Sequence, residues 1–128
     1  MADAAENDVP AAKALLSGHG DRWRLHVPPL FFFEVGNILA CGRMRPEPDV
    51  ARQALAQFFK LGLVTVPLGH APAARAFDLS RELAVSFYDA STLALAESLG
   101  CDFVTADARF ARKAAGTGHV RLLADRIT

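Results

Sequence analysis

The chain has 128 residues, 52% of them hydrophobic and 22% charged, which is enough apolar content to bury a core and too much for a disordered chain. Its 14 lysines and arginines balance its 14 aspartates and glutamates, so the formal net charge is zero. That excludes a polybasic arm as the means of binding nucleic acid, while 11 arginines among the 14 basic residues leave a local phosphate-binding patch open.

A mass of 13.7 kDa suits one domain, and no repeat, low-complexity tract or Gly/Ser linker divides residues 1–128. The N-terminus, Met1 to Asp8, is acidic where a signal peptide would be basic and then apolar. The longest apolar run, Val27 to Phe33, stops at Glu34, well short of a membrane span. A soluble cytoplasmic protein with no membrane partner is therefore expected.

In chain order, Pro10 to Leu16 reads as a short helix with Pro10 near its first turn, ended by Gly18 and Gly20. Arg24 to Val27 is a short strand stopped by Pro28 and Pro29. Phe31, Val35, Ile38 and Leu39 then recur at helical spacing, which predicts a helix with one buried face, ending near Gly42. A second helix runs from Pro48 to Leu61 with Val50, Ala54, Leu55, Phe58 and Phe59 on its apolar side, and Gly62 closes it. Leu63 to Val66 is a buried strand, Pro72 to Ala84 a helix, and Tyr88 to Leu99 another, closed by Gly100 as a left-handed cap. Asp102 to Thr105 is a strand, Asp107 to Ala115 a helix, and Val120 to Leu123 the last strand. Strands alternating with helices predict an α/β fold with a central parallel sheet covered on both faces.

Most familiar chemistries have no residues here to support them. There is no GxxxxGK[ST] loop, and neither Gly18-His19-Gly20 nor Gly116-Thr117-Gly118 has the third glycine and preceding strand of a dinucleotide fingerprint. His19, His26, His70 and His119 show no zinc-ligand spacing, and no serine stands in a GxSxG elbow. Cys41 and Cys101 lie far apart in apolar stretches and are expected to be buried, reduced thiols.

Three carboxylates stand out. Glu34 interrupts the apolar start of its helix, with Asn37 one turn on to orient it; its bland reading is a surface acid that stabilises a helix start. Asp89 opens the helix after Phe87-Tyr88, and Asp107 follows the strand Asp102 to Thr105 and opens the next helix; both could equally be capping acids. The carboxyl end of a parallel strand is nevertheless where open α/β sheets bind ligands. Were the three acids to converge there, their mutual repulsion would call for a hard divalent cation such as Mg²⁺ or Mn²⁺.

Phe33-Glu34-Val35-Gly36-Asn37, Phe87-Tyr88-Asp89-Ala90 and Val104-Thr105-Ala106-Asp107 resemble three motifs of the PIN-domain family, VapC-type toxins above all. Their order fits, as do the separations of 55 and 18 residues between the acids, and the likeness runs from about Glu6 to Leu123. The resemblance implies a three-layer α/β/α fold and a metal-dependent endoribonuclease that hydrolyses RNA phosphodiesters. It makes Glu34, Asp89 and Asp107 the catalytic, metal-site acids, with Thr105 and Asn37 supporting them and Mg²⁺ or Mn²⁺ as cofactor. It also implies a homodimer, for which Phe58, Phe59 and Leu61 are plausible contacts, and a cognate antitoxin partner. Arg43, Arg45, Arg109, Arg112 and Lys113 are candidate contacts to RNA phosphate, or an ordinary solvated surface.

One departure is plain. The family opens with an apolar strand that delivers a first aspartate, and Met1 to Asp8 contains no apolar run. Asp3-Ala4 imitates the motif only superficially, so the first strand and first acid are expected to be missing. That leaves a non-catalytic PIN-like binding module as the competing reading, and a nuclease acting on DNA flaps as a third.

Overall fold

A computed structural model describes residues 2–125, with side chains from Pro10 onward. The chain divides into two compact units, residues 18–67 and residues 1–17 together with 68–128.

In the unit formed by residues 18–67, β1 (His26–Val27) and β2 (Val64–Thr65) pair in parallel, His26 opposite Val64 and Val27 opposite Thr65. The amides of Val64 and Val66 donate to the carbonyls of Leu25 and Val27 at 3.0 and 2.9 Å. Parallel strands need a long crossover, and here it is the helix pair α2 (Leu30–Cys41) and α3 (Pro48–Lys60). The two helices meet through aromatic rings. Phe32 stacks on Phe59 with centroids 4.6 Å apart, and Phe31 packs edge-on against Phe58 at 6.0 Å. The predicted buried faces are only half realised, because no residue of either helix is fully buried and Val50, Phe59, Phe33 and Ile38 are all exposed. These helices present apolar residues on more than one side, so a single contact cannot cover them.

His19 holds the entry to this unit. Its Nδ1 accepts from the Leu25 amide at 3.0 Å, which leaves the proton on Nε2 to donate to the Gly62 carbonyl at 3.1 Å. Gly18 is buried against Trp23, whose indole occupies the place where a Cβ would stand.

The other unit contains α1 (Ala2–Ser17), α4 (His70–Leu83), α5 (Phe87–Leu99), β3 (Phe103–Thr105), α6 (Ala108–Ala114) and β4 (Val120–Leu122). Its core is Ala76 and Leu79 of α4, Ala90, Leu93 and Ala94 of α5, and Phe110 and Ala114 of α6. Alanines at these contacts let the helix axes approach closely while Leu79 and Leu93 fill the centre. Helix α5 is buried over most of its circumference, and Ser91, inside it, is satisfied by donating to the Phe87 carbonyl at 2.7 Å. Gly100, at φ 68°, closes α5, and the Cys101 amide donates back to the Ala96 carbonyl at 3.0 Å, as expected for a left-handed cap. Strands β3 and β4 pair in parallel, Phe103 opposite Val120 and Thr105 opposite Leu122.

The α/β class and the order of elements agree with the sequence reading. Three details differ. Among the described residues, the strands hydrogen-bond as two parallel pairs, β1 with β2 and β3 with β4, rather than as one continuous sheet. Helix α1 starts at Ala2 and carries Pro10 in its interior rather than near its first turn. Cys41 and Cys101 are free, as expected, but exposed rather than buried. Cys41 ends α2, none of whose residues is buried, and Cys101 follows Gly100, the cap of α5.

No described helix is long and apolar enough to cross a membrane.

Candidate functional site

The sequence Val104-Thr105-Ala106-Asp107 folds as a strand end running into a helix start. Thr105 is the last residue of β3, and its Oγ1 accepts from the Asp107 amide at 3.0 Å, turning the chain off the strand. Asp107 is the N-cap of α6, with one carboxylate oxygen accepting from the Phe110 amide at 3.0 Å. The side chain is therefore held by its own backbone turn while remaining exposed. Asp107 caps a helix, as its capping reading expects, and it stands just past the carboxyl end of a parallel strand.

Asp89 is the third residue of α5, and the cap in front of it is Ser86, whose Oγ accepts from the Asp89 amide at 3.1 Å. Asp89 is thus a first-turn acid rather than the cap itself, and it is half-buried. The signal for Ser86 is local: Ser86-Phe87-Tyr88-Asp89 has the Ser-x-x-acid spacing of a capping box. Helix α5 packs on β3 and joins it through only Gly100 to Asp102.

In the other unit, Glu34 and Asn37 lie one turn apart on α2, both exposed. Arg43 and Arg45 line an open cleft of about 400 Å³ in the α2–α3 connection, together with Pro46, Glu47 and Pro48. Neither arginine makes an ion pair among the described residues, whereas the nearby Arg52 is paired with Asp49 at 2.9 Å. Arg109 and Arg112 are exposed on α6. Lys113 has a partner inside the fold: its Nζ donates to the Ala84 carbonyl at 2.9 Å. That contact spans 29 residues and has no local signature in the sequence.

Asp3 belongs to α1, but its side chain lies outside the described residues. Among the described residues, no group of three or more histidine, cysteine, aspartate or glutamate side chains is gathered so that it could hold a metal ion.

Arg75 and Cys101 are shifted by their surroundings. The hydrogen bonds that Arg75 donates to the Glu97 carboxylate hold its guanidinium above its ordinary pKa, in a two-pronged pair at 3.0 and 3.3 Å that ties α4 to α5. Partial burial of the Cys101 thiol, and then the neighbouring Asp102 carboxylate, push its pKa up.

A family model described as PIN domain matches residues 4–116 of the chain. No curated protein and no solved structure matches it.

Proposed function

The chain belongs to the PIN domain family, and on that premise we propose that it is a metal-dependent endoribonuclease, the toxin half of a VapC-type toxin–antitoxin pair. PIN domains are generally nucleases. The observation that supports the reading best is the Thr105–Asp107 turn, which holds an exposed carboxylate just past a strand's carboxyl end.

The donor chemistry suits a hard cation. Asp89 and Asp107 offer carboxylate oxygens, and Mg²⁺ is commonly held by one or two carboxylates together with waters and substrate phosphates. In this reading, which rests on the family likeness, Glu34, Asp89 and Asp107 are the metal-site acids, and Mg²⁺ or Mn²⁺ when bound would acidify a water and offset charge on the phosphate. Thr105 fixes the backbone of Asp107, and Asn37 orients Glu34. Arg43, Arg45, Arg109 and Arg112 hold the phosphates of an RNA strand, as planar forks that match phosphate oxygens. No side-chain nucleophile takes part.

The same proposal has residues 1–128 form one domain, working in the cytoplasm as a homodimer with an antitoxin partner. Phe58, Phe59 and Leu61 are the proposed dimer contacts; Phe59 is 62% exposed, so its ring has surface left to bury. Light scattering at micromolar concentration should give twice the chain mass, and a monomer overturns this part.

The decisive experiment is cleavage of a mixed single-stranded RNA, beside a DNA flap, with Mn²⁺ or Mg²⁺ and with EDTA and Asp107→Asn as controls. RNA cleavage lost in EDTA and in Asp107→Asn supports the reading. Cleavage of the flap alone moves the substrate to DNA. A folded chain that cleaves neither is the non-catalytic binding module.

A further inference from the structure

We infer that Lys113 is a positioning residue for the metal-binding acids, tying the helix capped by Asp107 to the turn that leads into Asp89. The inference rests on the metal-site reading of Asp89 and Asp107. Its physical basis is a chain of short contacts within one unit.

Helix α4 ends at Leu83, and the next residue, Ala84, takes up the left-handed conformation with φ 54°. The turn that follows is held from α4 by Ser80, whose carbonyl accepts from the Val85 amide at 3.3 Å and whose hydroxyl donates to the Val85 carbonyl at 2.6 Å. It is held from α6 by Lys113 Nζ on the Ala84 carbonyl at 2.9 Å. One residue beyond Val85, Ser86 receives the Asp89 amide at 3.1 Å. Only Val85 and Ser86 therefore separate the carbonyl gripped by Lys113 from the first turn of the helix that carries Asp89.

The other end of the tie is anchored. Helix α6 has seven residues, with Asp107 as its cap. Ala114, next to Lys113, is fully buried, and Phe110 is nearly so, in the core that also contains Ala90, next to Asp89. Cation sites tolerate little play between their ligands, and the groups that fix the ligand-bearing elements tune affinity. An ammonium also suits the end of a helix, where carbonyls lack partners. Read from sequence alone, Lys113 is a candidate phosphate contact; the bond to Ala84 gives it different work.

The test uses the full chain with Lys113→Met, which keeps the apolar stem and removes the donors, and Lys113→Arg, which restores a donor and the charge. Amide hydrogen exchange is followed at Val85, Ser86 and Asp89 in metal-free protein. Mn²⁺ affinity is read from the free-ion EPR signal, and RNA cleavage gives KM against salt. In Lys113→Met, exchange at these amides should quicken roughly fivefold, about what one net hydrogen bond is worth. Mn²⁺ affinity should fall by a similar factor, RNA KM and its salt dependence should not move, and Lys113→Arg should recover most of the loss.

Unchanged exchange overturns the inference, and so does faster exchange with unchanged Mn²⁺ affinity, which would make the tie merely structural. A raised KM with a shallower salt dependence at unchanged Mn²⁺ affinity also overturns it, by making Lys113 a phosphate contact. Failure of the underlying reading looks different: the unmodified chain would bind no Mn²⁺, or would bind it equally well as Asp89→Asn and Asp107→Asn.

Discussion

The amide of Phe110 donates to Oδ1 of Asp107 at 3.0 Å, and Phe110 is in turn 3% exposed in the core beneath α6. The carboxylate proposed for metal binding is thereby fixed, through one backbone bond, to a residue that cannot shift without repacking the core. One side chain serves folding with one oxygen and is proposed to serve catalysis with the other.

The two roles separate by substitution. Asp107→Asn keeps an amide oxygen for the Phe110 amide, so stability should change by no more than about 0.5 kcal/mol, whereas Asp107→Ala loses the cap and should cost ~1 kcal/mol. Both should lose RNA cleavage. Thermal melts of the two variants beside their activities check this, and equal destabilisation by Asn and Ala would show that the cap contributes nothing.

Ala84 is the one described non-glycine residue with positive φ, at 54°. An L-residue with a Cβ is strained there, and glycine is not. Ala84→Gly should stabilise the protein by ~0.5–1 kcal/mol, the strain relieved less the extra freedom glycine has when unfolded. A lower midpoint in urea would mean that the turn is held for some other reason.

At Gly18 the expectation is reversed. A Cβ there would fall on the indole of Trp23, a ring already flanked by the Arg22 guanidinium 5.0 Å from its centroid. Gly18→Ala should destabilise by about 1–3 kcal/mol, as overpacking does. Trp23 is the only tryptophan, so its fluorescence reports the displacement directly. An unaltered spectrum and midpoint would show that the indole can swing clear.

What the sequence made legible, and what it did not, follows from distance along the chain. Pro48, Gly62 and Gly100 bound their helices by local rules, and the observed ends of α3 and α5 fall within a residue or two of those marks. The Thr105–Asp107 turn is likewise local, so its acid could be found from sequence. Pairing of β1 with β2, the Arg75–Glu97 bridge and the Lys113–Ala84 contact join residues 22 or more positions apart, and no periodicity encodes them. Apolar neighbours suggested buried cysteines because hydrophobicity along the chain does not say which side of a helix end faces solvent. Pro10 reads as a helix start because proline favours that position, and that local rule does not encode the further turns of α1 that precede it.

The exposed thiols give a pH-dependent prediction. A thiol reacts as its thiolate, and partial burial together with the Asp102 carboxylate disfavours the thiolate of Cys101. A raised pKa means that the reactive form appears only at higher pH, so a Cys41→Ser variant should alkylate slowly at neutral pH and accelerate above the ordinary thiol range. Asp102 also pairs with Arg121 across the β3–β4 ladder at 3.5 Å, so Asp102→Asn removes the negative neighbour without emptying the site. That change should move the alkylation profile of Cys101 to lower pH, by less than the whole shift, because burial is the larger cause. The measurement is the iodoacetamide rate against pH for Cys41→Ser with and without Asp102→Asn. A profile that Asp102→Asn leaves in place would assign the shift to burial alone.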